Sequence, residues 1–274
     1  MTAFPITPQG IFEHDGNKPV KHGYGVDKED VLARGNVLHC PFWEGAGSQV
    51  ADVSGNGNHG TLTNGPVWVP EGIAGGLNDA GSVVVADKPE LDGFSGLSLM
   101  IYAKNNASSI GGTGNESLAE KSGSGADSYR LLWLNTEDIF FQVGTSAGNV
   151  SLSETDWLTD DLWHLWIATY DGSTMRMYKD GLEASSTSAQ TGAVNATGHD
   201  LHLLGDGGNG SWNGIGAIAS VWNRALAVSE IAQLSRDPYA LLRRRSRRRF
   251  VAAAPGGLSI PVAMHHYTKN LRAG

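Results

Sequence analysis

Two Asp-Gly pairs, at 171–172 and 180–181, bracket the short alternating run TMRMYK at 174–179 and fix the chain locally as a β-hairpin. Asp and Gly tolerate the positive φ that tight hairpin turns demand, so Asp-Gly between alternating residues is the strongest short-range hairpin signal. Immediately upstream, 162–170 reads LWHLWIATY. In an extended chain Trp163, Leu165, Ile167 and Thr169 lie on one face and His164, Trp166, Ala168 and Tyr170 on the other. A segment apolar on both faces belongs in the middle of a layered β structure.

The rest of the chain follows the same pattern. Strands are expected at 37–42, 82–86, 97–104, 129–135, 139–145, 201–204 and 215–222, separated by turns rich in the 37 glycines. One short helix is expected at 229–235, with Ser229 as N-cap ahead of Glu230, Ile231 and Leu234. Many short strands at regular spacing predict an all-β fold of two packed antiparallel sheets. At 274 residues the chain fits one such domain of roughly 200 residues plus appendages. It contains no 18-residue apolar run, so no membrane is expected as a partner. The N-terminal MTAFPITPQGIFEHDG lacks the basic and apolar regions of a secretory signal. Cys40 is the single cysteine, which excludes a disulfide framework and reads as a small buried hydrophobe.

Between 52 and 60 the chain reads DVSGNGNHG. Asp52, Ser54 and Asn56 place oxygens at every second position, and Gly55, Gly57 and Gly60 let the backbone curl its carbonyls inward, as a hard cation such as calcium requires. An Asx-rich turn between strands uses the same residue types through local side-chain to backbone bonds. The helix-loop-helix calcium motif is excluded, because Thr63 stands where its Glu belongs and Pro41 and Pro66 flank the loop.

Taken in order, DVSGNGNHG, SVVVADKPELDGFSGLSLMIYAK, LWHLWIATYDGSTMRMYKDG and SWNGIGAIASVWNRALAVSEIAQL resemble the laminin G-like members of the concanavalin A-like lectin/glucanase superfamily. The resemblance covers 37–236 and implies an antiparallel two-sheet jelly-roll sandwich with extended N- and C-terminal arms at 1–36 and 237–274. It also implies a structural Ca2+ on the early loop. Asp52 is then the side-chain ligand, supported by Asn56, Asn58 and carbonyls near His59 and Gly60. Relatives carry an acid in the strand before NRAL, where this chain has Ala217 and Ile218, so one ligand is missing.

No catalytic role is expected. Glycoside hydrolysis needs two carboxylates flanking the scissile bond, and the nearest pair, Glu154 and Asp156, lies in a Ser- and Asp-rich loop. GDGGNG at 205–210 has the GxGxxG spacing but runs into a strand pattern, so the helix that would hold a phosphate is lacking. His164 reads as a packed or bonded strand residue, and His265 and His266 point to opposite sides of an extended chain. Of the tryptophans, Trp133, Trp157 and Trp212 offer faces for sugar stacking. Trp212, between Asn209 and Asn213 in a polar loop, is the favoured carbohydrate contact.

The two ends set the functional expectation. Pro5, Pro8 and Pro19 mark an N-terminal arm without a core of its own. Near the other end DPYALLRRRSRRRF concentrates Arg243, Arg244, Arg245, Arg247, Arg248 and Arg249 in a chain whose net charge is -8. An acidic body would repel phosphates, so nucleic acid is not the expected partner; basic tails reaching the acidic bodies of neighbouring copies are. Laminin G-like chains ending in NRAL, EIAQL and DPYALL with a basic tail are similar to virion proteins of tailed bacteriophages. The expected role is a non-catalytic virion structural protein, a capsid decoration or tail-associated subunit that meets other virion subunits through both arms as a homo-oligomer. Its lectin-like domain faces outward toward host glycans. The alternative is a secreted carbohydrate-binding module.

Overall fold

Both Asp-Gly pairs form the turns assigned to them. In the computed structural model, which describes residues 24–75, 81–105, 115–123, 127–134, 138–157, 160–206 and 212–244, Asp180 and Gly181 have φ of 53° and 84° and join the strands Thr174–Lys179 and Leu182–Glu183. Positive φ at both central residues matches the turn twist to the strand twist. At the other end of Thr174–Lys179, the Asp171 carboxylate accepts from the N–H groups of Ser173 and Thr174 at 2.9 and 2.8 Å. The hairpin partner is Trp163–Tyr170, as its apolar character on both faces required.

Two antiparallel sheets result. The eight-stranded sheet runs Gly148–Glu154, Ile139–Thr145, Tyr129–Trp133, Glu116–Lys121, Leu201–Leu203, Ser82–Val85, Gly60–Thr63 and Gln49–Val50. The nine-stranded sheet runs Leu182–Glu183, Thr174–Lys179, Trp163–Tyr170, Leu97–Asn105, Gly214–Trp222, Gly72–Ala74 and Val67–Val69, with Ser188–Ala189 beside Thr174–Lys179 and Asn36–Cys40 beside Gly214–Trp222. The strand expected at 37–42 stops at Cys40 because Pro41 has no N–H to offer and Phe42 turns to a φ of 42°. Val83, Val85, Phe141 and Val143 of one sheet meet Leu99, Ile101, Trp166 and Ala168 of the other in the main core.

The nine-stranded sheet is apolar on its outer face too. Met100, Tyr102, Leu165, Ile167, Ile218 and Trp222 form a second core there with Ile231 and Leu234 of the helix Val228–Arg236, Leu32, and Ala240 and Leu241. Fully burying such side chains contributes roughly 1.5–3 kcal/mol each. The helix starts one residue earlier than expected. Its N-cap is Ala227 and not Ser229, because the Glu230 carboxylate reaches back to the Ala227 N–H at 2.7 Å while held by the Arg224 guanidinium at 2.7 Å. Tyr24–Val26 also pairs with Leu242–Arg244 in a small two-stranded sheet. By internal contacts the chain splits into Met1–Arg244 and Arg245–Gly274, and the described residues all lie in the first unit. No helix among them is long and apolar enough to cross a membrane.

One buried cation ties the loops at an end of the sandwich. Lys121 is fully buried on Glu116–Lys121, with its ammonium 3.2 Å from Asp92 Oδ2 and against Asp87 and the His199 carbonyl. Asp92 Oδ2 also accepts from Thr197 N–H at 2.9 Å, so one ion pair joins three chain segments. Removing one partner of a buried pair leaves the other charge uncompensated, at a cost of about 3–5 kcal/mol. Lys121→Met is expected to lower the urea midpoint by that equivalent, and an unchanged midpoint would show that the pair is not needed.

Candidate functional site

The loop at 52–60 is organised around Asp52, as the sequence reading requires, but by protein donors. Its Oδ1 accepts from the N–H groups of His39 at 3.1 Å and Ser54 at 2.8 Å; its Oδ2 accepts from Asn58 N–H at 2.9 Å and Ser54 Oγ–H at 2.8 Å. Asn56 and Asn58 turn their Nδ2 groups, not their oxygens, toward the Val37 carbonyl at 3.1 and 2.9 Å. His59 Nδ1 accepts from Asp52 N–H at 3.1 Å. Gly60 opens a strand, where a Cβ would come within 2.5 Å of Val83 Cγ1, so this glycine is needed for close packing.

The loop therefore does not fit calcium. A hard dication needs free, preferably charged oxygens. Both Asp52 oxygens face donors, and Asn58 Oδ1 and Asn36 Oδ1, which lack a donor, are neutral. Two lysines that the sequence reading passed over take up loop carbonyls instead: the Lys28 ammonium on Ser54 O and the Lys88 ammonium on Gly57 O, the latter at 2.8 Å. No cluster of three or more His, Cys, Asp or Glu suited to a metal occurs among the described residues. Nothing local in DVSGNGNHG signals this, because the ammonium groups arrive from 26 and 31 residues away. Millimolar calcium or EDTA is expected to leave the melting temperature unchanged. Asp52→Ala, which strands several buried donors at about 1–3 kcal/mol each, is expected to lower stability by at least about 3 kcal/mol. A calcium-dependent rise in melting temperature would return the loop to the metal-binding class.

The carbohydrate residues read from the sequence do not form a surface site. Trp212 is fully buried in the main core, with its ring centroid 4.2 Å from that of Trp133, which itself lies 5.7 Å from Trp166. No ring face is left for a sugar, because the polar flanks of Trp212 in sequence do not prevent its indole from filling the space between the sheets. Asn213 is buried as well, and Asn209 lies outside the described residues. Trp157 remains half-buried, packed against the main core with its ring 6.1 Å from Trp166.

Glu116, which sequence reasoning missed, accepts from Asn213 N–H at 3.2 Å. The carboxyl is distinguished by a neighbour 97 residues away, so no local pattern marks it. Of the acids weighed for catalysis, Glu154 ends the edge strand Gly148–Glu154 and accepts from Ser185 Oγ at 2.7 Å, while Asp156 is exposed. His164 is bonded at both ring nitrogens, 2.6 Å from Asp180 Oδ2 and 2.8 Å from Asp160 Oδ1, and Cys40 is buried. Arg243 and Arg244 lie in the small terminal sheet; Arg245, Arg247, Arg248 and Arg249 fall outside the described residues.

Buried His39 and half-buried Glu116 titrate in opposite senses. Burial pushes the His39 imidazole, bonded to Ser220 Oγ at 2.6 Å, down from 6.5 to about 4, against the pull of Asp52. Burial pushes Glu116 up from 4.5 to about 7, against the Asn213 N–H. Between pH 4 and 6.5 the unfolded chain protonates His39 and the folded one does not, so His39 makes stability rise with pH. Between 4.5 and 7 the folded chain keeps a proton on Glu116 that the unfolded one loses, so Glu116 makes stability fall with pH. Each slope approaches about 1.4 kcal/mol per pH unit, and they offset where they overlap. Relative to the parent, His39→Gln is expected to gain stability as pH falls from 6.5 to 4, and Glu116→Gln as pH rises from 4.5 to 7. Urea unfolding across pH checks both; parallel curves for parent and variants would refute the assignment.

The sequence profile of the concanavalin A-like lectin/glucanases superfamily matches residues 78–232, more than half of the chain. No curated protein matches by sequence. Among solved structures, the receptor binding domain of botulinum neurotoxin C/D mosaic serotype is similar at 13% identity and a TM-score of 0.59, over 73% of this chain and 51% of that one. The binding domain of Paraclostridial Mosquitocidal Protein 1 is similar at 13% identity and a TM-score of 0.55, over 74% of this chain and 52% of that one. Trypanosoma rangeli sialidase is similar at 17% identity and a TM-score of 0.57, over 76% of this chain and 33% of that one. The chain thus spans about half the length of the toxin domains and a third of the sialidase. At these identities the likeness is one of fold.

Proposed function

The chain belongs to the concanavalin A-like lectin/glucanases superfamily as a laminin G-like, lectin-like β-sandwich, and from that membership we propose a structural role in a bacteriophage virion. In this reading the chain is a capsid decoration or tail-associated subunit. Its terminal segments hold it to neighbouring subunits, and its sandwich binds host glycans without catalysis.

The observation that carries the reading is the Tyr24–Val26 and Leu242–Arg244 pair. Tyr24 lies directly opposite Arg244, so the described sandwich begins and ends at adjacent positions. A domain tethered at one place can be displayed away from its anchor. The arginine concentration begins at this junction, and in a chain of net charge -8 it suits attachment to acidic neighbours. The acids offered for hydrolysis favour a binding role: Glu154 is engaged with Ser185, and Asp156 stands in an exposed turn with a φ of 57°.

Truncation is best made after Arg244, since Ala240, Leu241 and Leu242 are buried. The chain ending at Arg244 is expected to fold with an unchanged melting temperature and to drop out of purified particles, as read by mass spectrometry and electron microscopy. Equal incorporation of the truncated chain would overturn the tethering role. Absence of the full chain from particles would overturn the virion assignment in favour of a free carbohydrate-binding module.

A further inference from the structure

Among the described residues, the helix Val228–Arg236 and the segment 239–241 cover the outer face of the nine-stranded sheet as far as the level of Tyr102, Leu165 and Ile218, with Trp163 at the margin of that core. Beyond it lies a transverse row of five residues, set by the strand registers. Val67 pairs with Ala74, Ala74 with Ile215, Ile215 with Lys104 and Lys104 with Trp163. Residues directly opposite across neighbouring strands share a face. The row therefore crosses five strands and, at about 4.8 Å per step, extends about 19 Å. Val67 is 56% exposed, and the other four are half-buried.

We propose that this row is the domain's saccharide-binding surface and that it takes an acidic glycan, one built with uronic or sialic acid units. The proposal rests on the glycan-binding part of the preceding reading and supplies the contact that the buried Trp212 cannot. Trp163 presents a half-buried indole whose ring lies 5.0 Å from that of Tyr102, which fixes its orientation. A fixed, half-open aromatic face suits the apolar C–H face of a pyranose, and the flat aliphatic surface of Ile215, Ala74 and Val67 continues it. The Lys104 ammonium stands 6.0 Å from the Trp163 ring centroid. Lys28, Lys88, Lys121 and Lys179 each hold a backbone or carboxylate oxygen, whereas among the described residues Lys104 faces the indole and has no acidic partner. A cation with no acidic partner among the described residues, set beside an aromatic face in an otherwise acidic protein, selects an anionic ligand. It also argues against the arginine-rich tail of another copy as occupant.

The test uses the full chain and its binding to polygalacturonate, polysialic acid and dextran, measured by affinity electrophoresis and calorimetry. The parent is expected to bind at least one of the two acidic polymers more tightly than dextran, with binding weakened by 0.5 M salt. Lys104→Gln is expected to lose tenfold or more on the acidic polymer, and Trp163→Ala to abolish binding. Trp163→Tyr should keep part of it, which covers the case in which the alanine variant fails to fold. Acidic-polymer binding that survives both Lys104→Gln and Trp163→Tyr undiminished would overturn this site while leaving the glycan reading intact. If the folded parent binds no saccharide, the glycan reading falls and this inference with it. Self-association of the parent that Lys104→Gln and Trp163→Ala remove, without saccharide binding, would reassign the row to contact between copies.

Discussion

The strand Gly214–Trp222 is held along its length by Leu97–Asn105 on one side and by Asn36–Cys40 and Gly72–Ala74 on the other, and from Gly216 to Trp222 its residues are buried on both faces. A central strand of this kind requires two cores, because each apolar face of a sheet must be kept from water. One core forms against the eight-stranded sheet. The other has to be built from whatever chain remains, which here is one nine-residue helix and the segments beside the two termini. Leu32 is fully buried beneath Trp222, whose indole N–H donates to the Leu32 carbonyl at 2.7 Å. The residues at both ends of the described sandwich are therefore integral to it.

The same economy explains how the loops are secured. At both 52–60 and 87–92 lysines supply positive charge to the loop oxygens. Lys28 and Lys88 sit on carbonyls of the first loop, and Lys121 sits between the carboxylates and carbonyls that meet at the second. An ammonium carries a single charge and directional donors, so it satisfies a few oxygens where calcium would draw in six to eight. Asp52 turns both oxygens to backbone and hydroxyl donors and becomes the centre of an Asx-type turn. Two readings of the glycine-rich loop stood open in the sequence, and the hydrogen bonds favour the turn.

The strands were largely legible from residues. Trp163–Tyr170, Thr174–Lys179 and Ile139–Thr145 fall within a residue of their sequence boundaries, since alternation and Asp-Gly turns are local signals. Gln49–Val50, Val67–Val69 and Gly72–Ala74 were not legible. They are two or three residues long and exist because a neighbouring strand offers hydrogen bonds. The site was less legible than the fold. Trp212 looks like a surface indole when its neighbours in sequence are Asn and Gly, yet its neighbours in space are Trp133 and the main core. Lys104 and Trp163, 59 positions apart in the numbering, become neighbours through register alone.

Sequence by itself determined the class of fold, the central hairpin, the importance of Asp52 and the absence of a disulfide framework. These follow from short-range physics: the period of side chains along a strand, the φ freedom of Gly, Asp and Asn, and the count of cysteines. Tertiary structure alone decided which charged groups hold the loops, which tryptophans are buried, where the first and last described strands pair and which outer-face residues share a row. Those outcomes depend on strand register and on which elements cover which face. Register brings together residues that no sequence window contains, and a slip of one residue would exchange every buried side chain for an exposed one.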